Sequence, residues 1–282
     1  METIHLPEQR EIDCEIAGNS VRQLRRAAFA GDATVYTLAI GKHQGYRIEA
    51  AGQSAAIIGK PLKSLPDGDV LLAGQKGKAV LPSEGAEPTT MRWLQPIPVT
   101  SCTAAELRER SEEVRVSWRG KFELRQEAET AEGLREPQVG AVHALLAHWT
   151  MSEDAATVVM PTGSGKTETM LSLIVSERLS NVLIVVPSAA LRDQTIEKFA
   201  SLGILPRLGI IGSGARYPVI GALEHGIESA SAAESFMRAC NVVIATMAAV
   251  HECPADARLA LSNATEYLFM DEAHHTPAAT TP

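Results

Sequence analysis

Cysteine is scarce in this chain: Cys14, Cys102, Cys240 and Cys253 are the only four, widely spaced and with no CxxC pair among them. That spacing fits neither a disulfide scaffold nor a zinc knuckle, and leaves reduced, structural thiols as the reading. His251, Cys253, His274 and His275 fall on separate elements without ligand spacing, so no metal cluster is expected from them. Long apolar runs are missing too, none approaching the roughly 18 residues of a membrane span. The start, Met1-Glu2-Thr3-Ile4-His5, lacks the basic and apolar regions of a secretory signal, and a cytoplasmic protein without a membrane partner is the expectation. Positive charge is not in excess either. At a formal net charge of −8 the chain carries no cationic coat, so any contact with nucleic acid has to come from a local groove.

At 282 residues with 45% hydrophobic content, two domains are expected. Residues 1–100 hold short β-branched or apolar stretches, at 33–40, 55–58 and 70–73, punctuated by Gly41, Gly45, Gly52, Gly59, Pro61, Pro66 and Gly68, which predicts a small β-rich domain. The proline-rich stretch from Val80 to Pro98 reads as a loop or linker. Residues 101–133 form a charged connector with a helix and a candidate strand at 114–118. From Leu134 to Pro282 the pattern changes to helix alternating with buried strand, as a parallel sheet covered by helices requires. Strands are predicted at 156–160, 181–186, 241–245 and 267–270. Helices are predicted from Pro137, over 167–179 and over 191–202.

The chemistry concentrates in two motifs of that second half. Met160-Pro161-Thr162-Gly163-Ser164-Gly165-Lys166-Thr167 joins a predicted strand to a predicted helix. Phosphates bring several negative charges that need donors without steric obstruction, which a tight glycine loop entering a helix N-terminus supplies. In that arrangement Thr162, Gly163, Ser164 and Gly165 cradle the phosphates of ATP, Lys166 reaches their far end and the Thr167 hydroxyl ligates Mg2+. Glycine is absent from position 160, where the strict pattern has it. The second motif, Asp271-Glu272-Ala273-His274, follows an apolar strand and so puts two carboxylates at the carboxyl edge of the sheet. Asp271 suits magnesium and Glu272 suits the attacking water as general base. Each motif also has a plainer reading, a glycine-rich turn and a solvated acidic turn, but the two together point to binding and splitting of a nucleoside triphosphate.

On these residues the second half resembles the first RecA-like domain of a superfamily 2 helicase, closest to the DEAH-type and type III restriction-subunit-like group. The fold the resemblance implies is α/β, a RecA-like P-loop parallel sheet with flanking helices, preceded by the smaller β-rich domain. Leu134-Arg135-Glu136-Pro137-Gln138 is similar to that group's adenine-side signature, which implies that Gln138 bonds the base. Val185-Val186-Pro187-Ser188 and Ile244-Ala245-Thr246 are similar to its backbone-contacting segments, implying phosphate contacts from Pro187, Ser188 and Thr246, which also read as helix caps. His274 would couple the nucleotide site to the nucleic acid or to a second motor domain. The restriction-like flavour of the signatures implies DNA in preference to RNA. Members continue with a second RecA-like domain bearing arginine fingers, which phosphoryl transfer uses for a rate factor of roughly 10³ to 10⁵. The expectation is therefore a C-terminally truncated ATP-binding portion of a DNA helicase or translocase, binding nucleotide better than hydrolysing it, and three histories fit it: a fragment of a longer helicase, a truncated reading frame, or a split motor with its second RecA-like domain in trans. The competing expectation is a nucleotide-responsive adaptor without turnover; a small-molecule kinase has no need of the acidic tetrad.

Overall fold

The computed structural model of the chain describes residues 2–50, 53–83, 88–161 and 163–272. They form two compact units, one of Met1–Ile12 with Leu24–Val99 and the other of Asp13–Gln23 with Thr100–Pro282. Among the described residues no helix is long and apolar enough to cross a membrane.

Nine strands come first: β1 (Glu2–Leu6), β2 (Gln9–Ile16), β3 (Asn19–Arg26), β4 (Phe29–Ile40), β5 (His43–Ala50), β6 (Gln53–Ile58), β7 (Val70–Gln75), β8 (Lys78–Ala79) and β9 (Thr90–Gln95). The first unit is a sheet in the order β1-β4-β5-β6-β7-β8, with β9 also paired to β7. Neighbouring side chains on a strand point to opposite faces, so the apolar runs of β6 and β7 bury both. Ile57 and Leu71 join Ile4, Leu6 and Ile48 under Phe29, Tyr46 and Trp93. Ala56, Ile58, Val70 and Leu72 face Leu38, Leu62, Leu65 and Leu94 instead. Asp69 is buried between two arginines, at 2.8 Å from Arg26 and 3.1 Å from Arg25. The Arg26 guanidinium also lies 5.2 Å from the Trp93 ring centre.

Strand β9 corrects the expectation of a linker across Val80 to Pro98. Met91-Arg92-Trp93-Leu94 pairs antiparallel with β7, and the Trp93 indole donates to the Pro7 carbonyl at 3.0 Å. The prolines that suggested a linker flank the strand and leave its donors intact.

The second unit adds α1 (Ala104–Ser117), α2 (Glu136–Met151), α3 (Lys166–Ser176), β10 (Val182–Val186), α4 (Ala189–Ala200), β11 (Ile220–Leu223), α5 (Ala230–Ala239), β12 (Val242–Thr246), α6 (Met247–Glu252), α7 (Ala255–Ala264) and β13 (Tyr267–Met270). Its sheet runs β13-β10-β12-β11-β3-β2. The first four strands are parallel, and β10 and β12 are buried along their whole length, as a sheet covered on both faces demands. β3 adds to β11 antiparallel, which makes the sheet mixed, and the Asn19 side chain holds this hairpin by accepting from the amides of Glu224 and His225 at 2.7 and 3.0 Å.

Two further expectations are overturned. Residues 114–118 are not a strand: Val114 to Ser117 close α1, whose start is fixed by a reciprocal capping box between Thr103 and Glu106. Leu107, Ser111 and Val114 recur at helical spacing on its buried face. Residues 156–160 are not a strand either. The segment runs beside β13 without a backbone ladder, and a hollow of about 360 Å³ lined by Val158, Met160, Leu268 and Met270 lies between them. β-branched residues favour a strand only where a neighbour supplies the hydrogen bonds, and among the described residues this segment has none. β13 accordingly ends the sheet with β10 as its one described neighbour, covered in part by Trp149, whose ring centre is 5.7 Å from that of Tyr267.

Candidate active site

The carboxyl ends of β10, β12 and β13 lie on one edge of the second sheet. Parallel register puts Val186 opposite Thr246 and Val185 opposite Met270, and the Asp271 amide continues the ladder by donating to the Val185 carbonyl at 2.9 Å. Asp271 and Glu272 therefore emerge where the parallel strands end.

The glycine loop reaches the same place. Gly165, with φ +91°, caps α3 in the left-handed region, and the amides of Lys166, Thr167 and Glu168 at the start of that helix face outward without intrahelical acceptors. A Cβ on Gly165 would stand 1.9 Å from the Gln138 side-chain nitrogen, so no other residue fits that position as it is packed. Gly163 also has a positive φ, +76°, but open space around it.

Lys166 forms an ion pair with Glu272. Hydrogen bonding to Glu272 raises the lysine pKa above its ordinary value; burial opposes this, and the charges of Glu272 and Asp271 add to it. The ammonium is thus charged throughout the physiological range. Asp271 in turn accepts from the Glu272 amide at 3.0 Å, and Glu272 adopts a φ of +52°, in the region that non-glycine residues seldom visit.

Lys166, Asp271 and Glu272 line one cleft of about 580 Å³ together with Gly163, Gly165 and Thr167. The donor set fits a magnesium-bound triphosphate: free amides and an ammonium for the phosphates, a hydroxyl and a carboxylate for the ion. Gln138 is buried at the start of α2, and its amide is engaged at both ends: its oxygen accepts from the Arg135 amide at 2.8 Å and its nitrogen donates to the Gly165 carbonyl at 3.2 Å. Arg135 donates to the Gly163 carbonyl at 3.1 Å. Both residues of the expected base-side signature thus hold the phosphate loop by its backbone.

Ser188 and Pro187 are exposed just past β10, and Ser188 caps α4 by accepting from the Leu191 amide at 3.3 Å. Thr246 is buried and its hydroxyl accepts from the Ala249 amide at 3.2 Å. Thr162 and His274 lie outside the described residues. Among the described residues no group of three His, Cys, Asp or Glu gathers to hold a metal.

The cleft has a wall that the motifs did not indicate. Residues 123–134 fold back on themselves, with the Glu127 amide donating to the Leu134 carbonyl and the Leu134 amide to the Arg125 carbonyl, each at 2.8 Å, and Glu127 and Glu132 line the cleft with Lys198, Ile204, Leu208 and Arg207, the last 3.9 Å from Glu132. Gly133 is the one sequence signal there, since a Cβ would strike the Gln126 carbonyl carbon at 2.5 Å; nothing else in the charged connector marks it.

Residues 132–281 match the family of type III restriction enzyme res subunits. The chain belongs to that family. Members are helicase-like, with an ATP-dependent function connected with DNA, and typically use ATP with Mg2+. No curated protein matches the chain, and no solved structure does.

Proposed function

We propose that the chain is the ATP-binding part of a DEAH-type, superfamily 2 DNA helicase or translocase whose second unit carries a RecA-like nucleotide site. The observation that carries this reading is the meeting of Lys166 with Glu272, beside Asp271, in a cleft that also contains a helix N-terminus preceded by Gly163 and Gly165. In it Lys166 would exchange its Glu272 partner for phosphate oxygens, and Thr167 and Asp271 would hold the Mg2+ that neutralises the phosphates. Glu272, once released, accepts a proton from the attacking water. Gln138 and Arg135 keep the loop in shape, and Gln138 retains one amide hydrogen for the adenine edge.

DNA is the partner in this reading, met through its phosphates by Pro187 and Ser188, with Thr246 contributing mainly by ordering the turn after β12. His274 passes the state of the nucleotide to that surface, and a second motor domain supplies the arginines that complete hydrolysis. Nucleotide binding measured by calorimetry tests the assignment. Lys166→Ala loses Mg·ATP binding by at least tenfold, whereas Glu272→Gln binds as tightly as the parent or more tightly, having freed Lys166, and shows no turnover. Full affinity in Lys166→Ala would remove the basis of the reading.

A further inference from the structure

The chain has a net charge of −8, yet the first unit gathers lysines at one end of its sheet. We propose that Lys42, Lys60, Lys76 and Lys78 form a docking rim for the phosphodiester backbone of a nucleic acid, at a site separate from the nucleotide cleft and its assignment.

Strand topology brings the four together. Lys42 sits in the turn that pairs Ile40 with His43. β6 runs antiparallel to β5, with Ile57 opposite Tyr46, and so leaves the sheet at the same end with Lys60 just beyond it. β7 is parallel to β6 and overruns it, and its Gln75 pairs with Lys78 across the turn that carries Lys76. The approach is close: a Cβ on Gly59 would stand 2.1 Å from the Lys78 carbonyl carbon. Neighbouring strands are about 4.8 Å apart, so ammonium groups on flexible stems at β5, β6 and β7 span several phosphates of one strand.

All four lysines are exposed, and among the described residues no carboxylate is paired with any of them. Glu49, opposite Thr34, and Asp69, bonded through its carbonyl to Ala56, stand toward the other end of the sheet. Lys76 has a φ of +50°, a position where asparagine or glycine is less strained, so turn geometry does not account for a lysine there. His43, Gln44 and Gln75 flank the rim, exposed and polar. Such a surface reads phosphate without reading sequence.

The test uses the full chain, without nucleotide, and a fluorescein-labelled DNA duplex, following anisotropy across a series of salt concentrations. Combining Lys42→Gln, Lys60→Gln, Lys76→Asn and Lys78→Gln weakens binding at least tenfold at low salt. It also makes the slope of log affinity against log salt shallower by about 3.6, since each of the four neutralised phosphates contributes about 0.9. The variant with arginine at all four positions keeps the parental slope, and both variants keep the parental Mg·ATP affinity. An unchanged slope in the neutral variant overturns the proposal, as does a folded arginine variant that loses binding. Vesicles containing phosphatidylserine are the second probe: binding to them but not to duplex overturns nucleic acid as the ligand. Mg·ATP binding by Lys166→Ala reads the cleft alone, so failure there leaves the rim's outcome legible.

Discussion

Two glycines in one loop make different demands. Gly163 needs only its positive φ, so Gly163→Ala costs about 1 kcal/mol in a position with open space. Gly165→Ala adds a collision with Gln138 to the same strain, and displaces either the loop or the glutamine. Nucleotide affinity is therefore expected to fall more than tenfold further in Gly165→Ala than in Gly163→Ala; equal losses would show that packing against Gln138 does not matter. The thiols follow from environment in the same way. Burial pushes the Cys14 thiol up to about 12, with Cys102 beside it adding to the rise, and complete burial pushes Cys240 higher still. A thiolate reagent applied to the native protein at pH 8 is expected to modify Cys102, which is part-exposed, and to spare Cys14, Cys240 and Cys253. Rapid labelling of Cys14 would contradict the packing around it. The meeting of Lys166, Asp271 and Glu272 was legible in the sequence because a loop entering a helix and a strand ending in two carboxylates come to one edge of a parallel sheet. Glu127 and Glu132 were not, because a carboxylate lining a cleft looks like any other surface charge until the chain folds back.

Elements marked by a continuous apolar run or by an apolar face at helical spacing were the ones the sequence disclosed. β10, β12 and β13 and helices α2, α3 and α4 stand within a few residues of their predicted positions. β9 was hidden by flanking prolines, and the last turn of α1, in a connector where a helix was expected, by the β-branched Val114 and Val116, Val114 lying on the helix's buried face. The segment 156–160 shows the converse: strand propensity without a neighbouring ladder yields no strand. Nor did the sequence show that Asp13–Gln23 joins the second sheet, a pairing carried by Asn19 and two registered residues over a long sequence separation. In the first unit the connection between β6 and β7 is held by Asp69. Removing that carboxylate leaves Arg26 buried and unpaired, so Asp69→Ala is expected to destabilise the unit by about 3 kcal/mol. Chemical denaturation followed by tryptophan fluorescence would register this, Trp93 being the ring beside Arg26, and an unchanged midpoint would mean that the pair contributes nothing.

At the scale of the molecule, a family membership that covers residues 132–281 coincides with a cleft in which Lys166 is paired with Glu272 beside Asp271. Under the proposed function Lys166 leaves Glu272 for phosphate while Asp271 would hold magnesium, so nucleotide and metal binding are expected to be interdependent. Magnesium dependence is thus the property closest to the central claim, that Lys166 and Asp271 act on one Mg-triphosphate. The decisive measurement is ATP affinity with and without Mg2+ in the parent chain and in Asp271→Asn. The account predicts that Mg2+ tightens binding at least tenfold in the parent and has little effect in the variant. Equal magnesium dependence in both, or none in the parent, would contradict it.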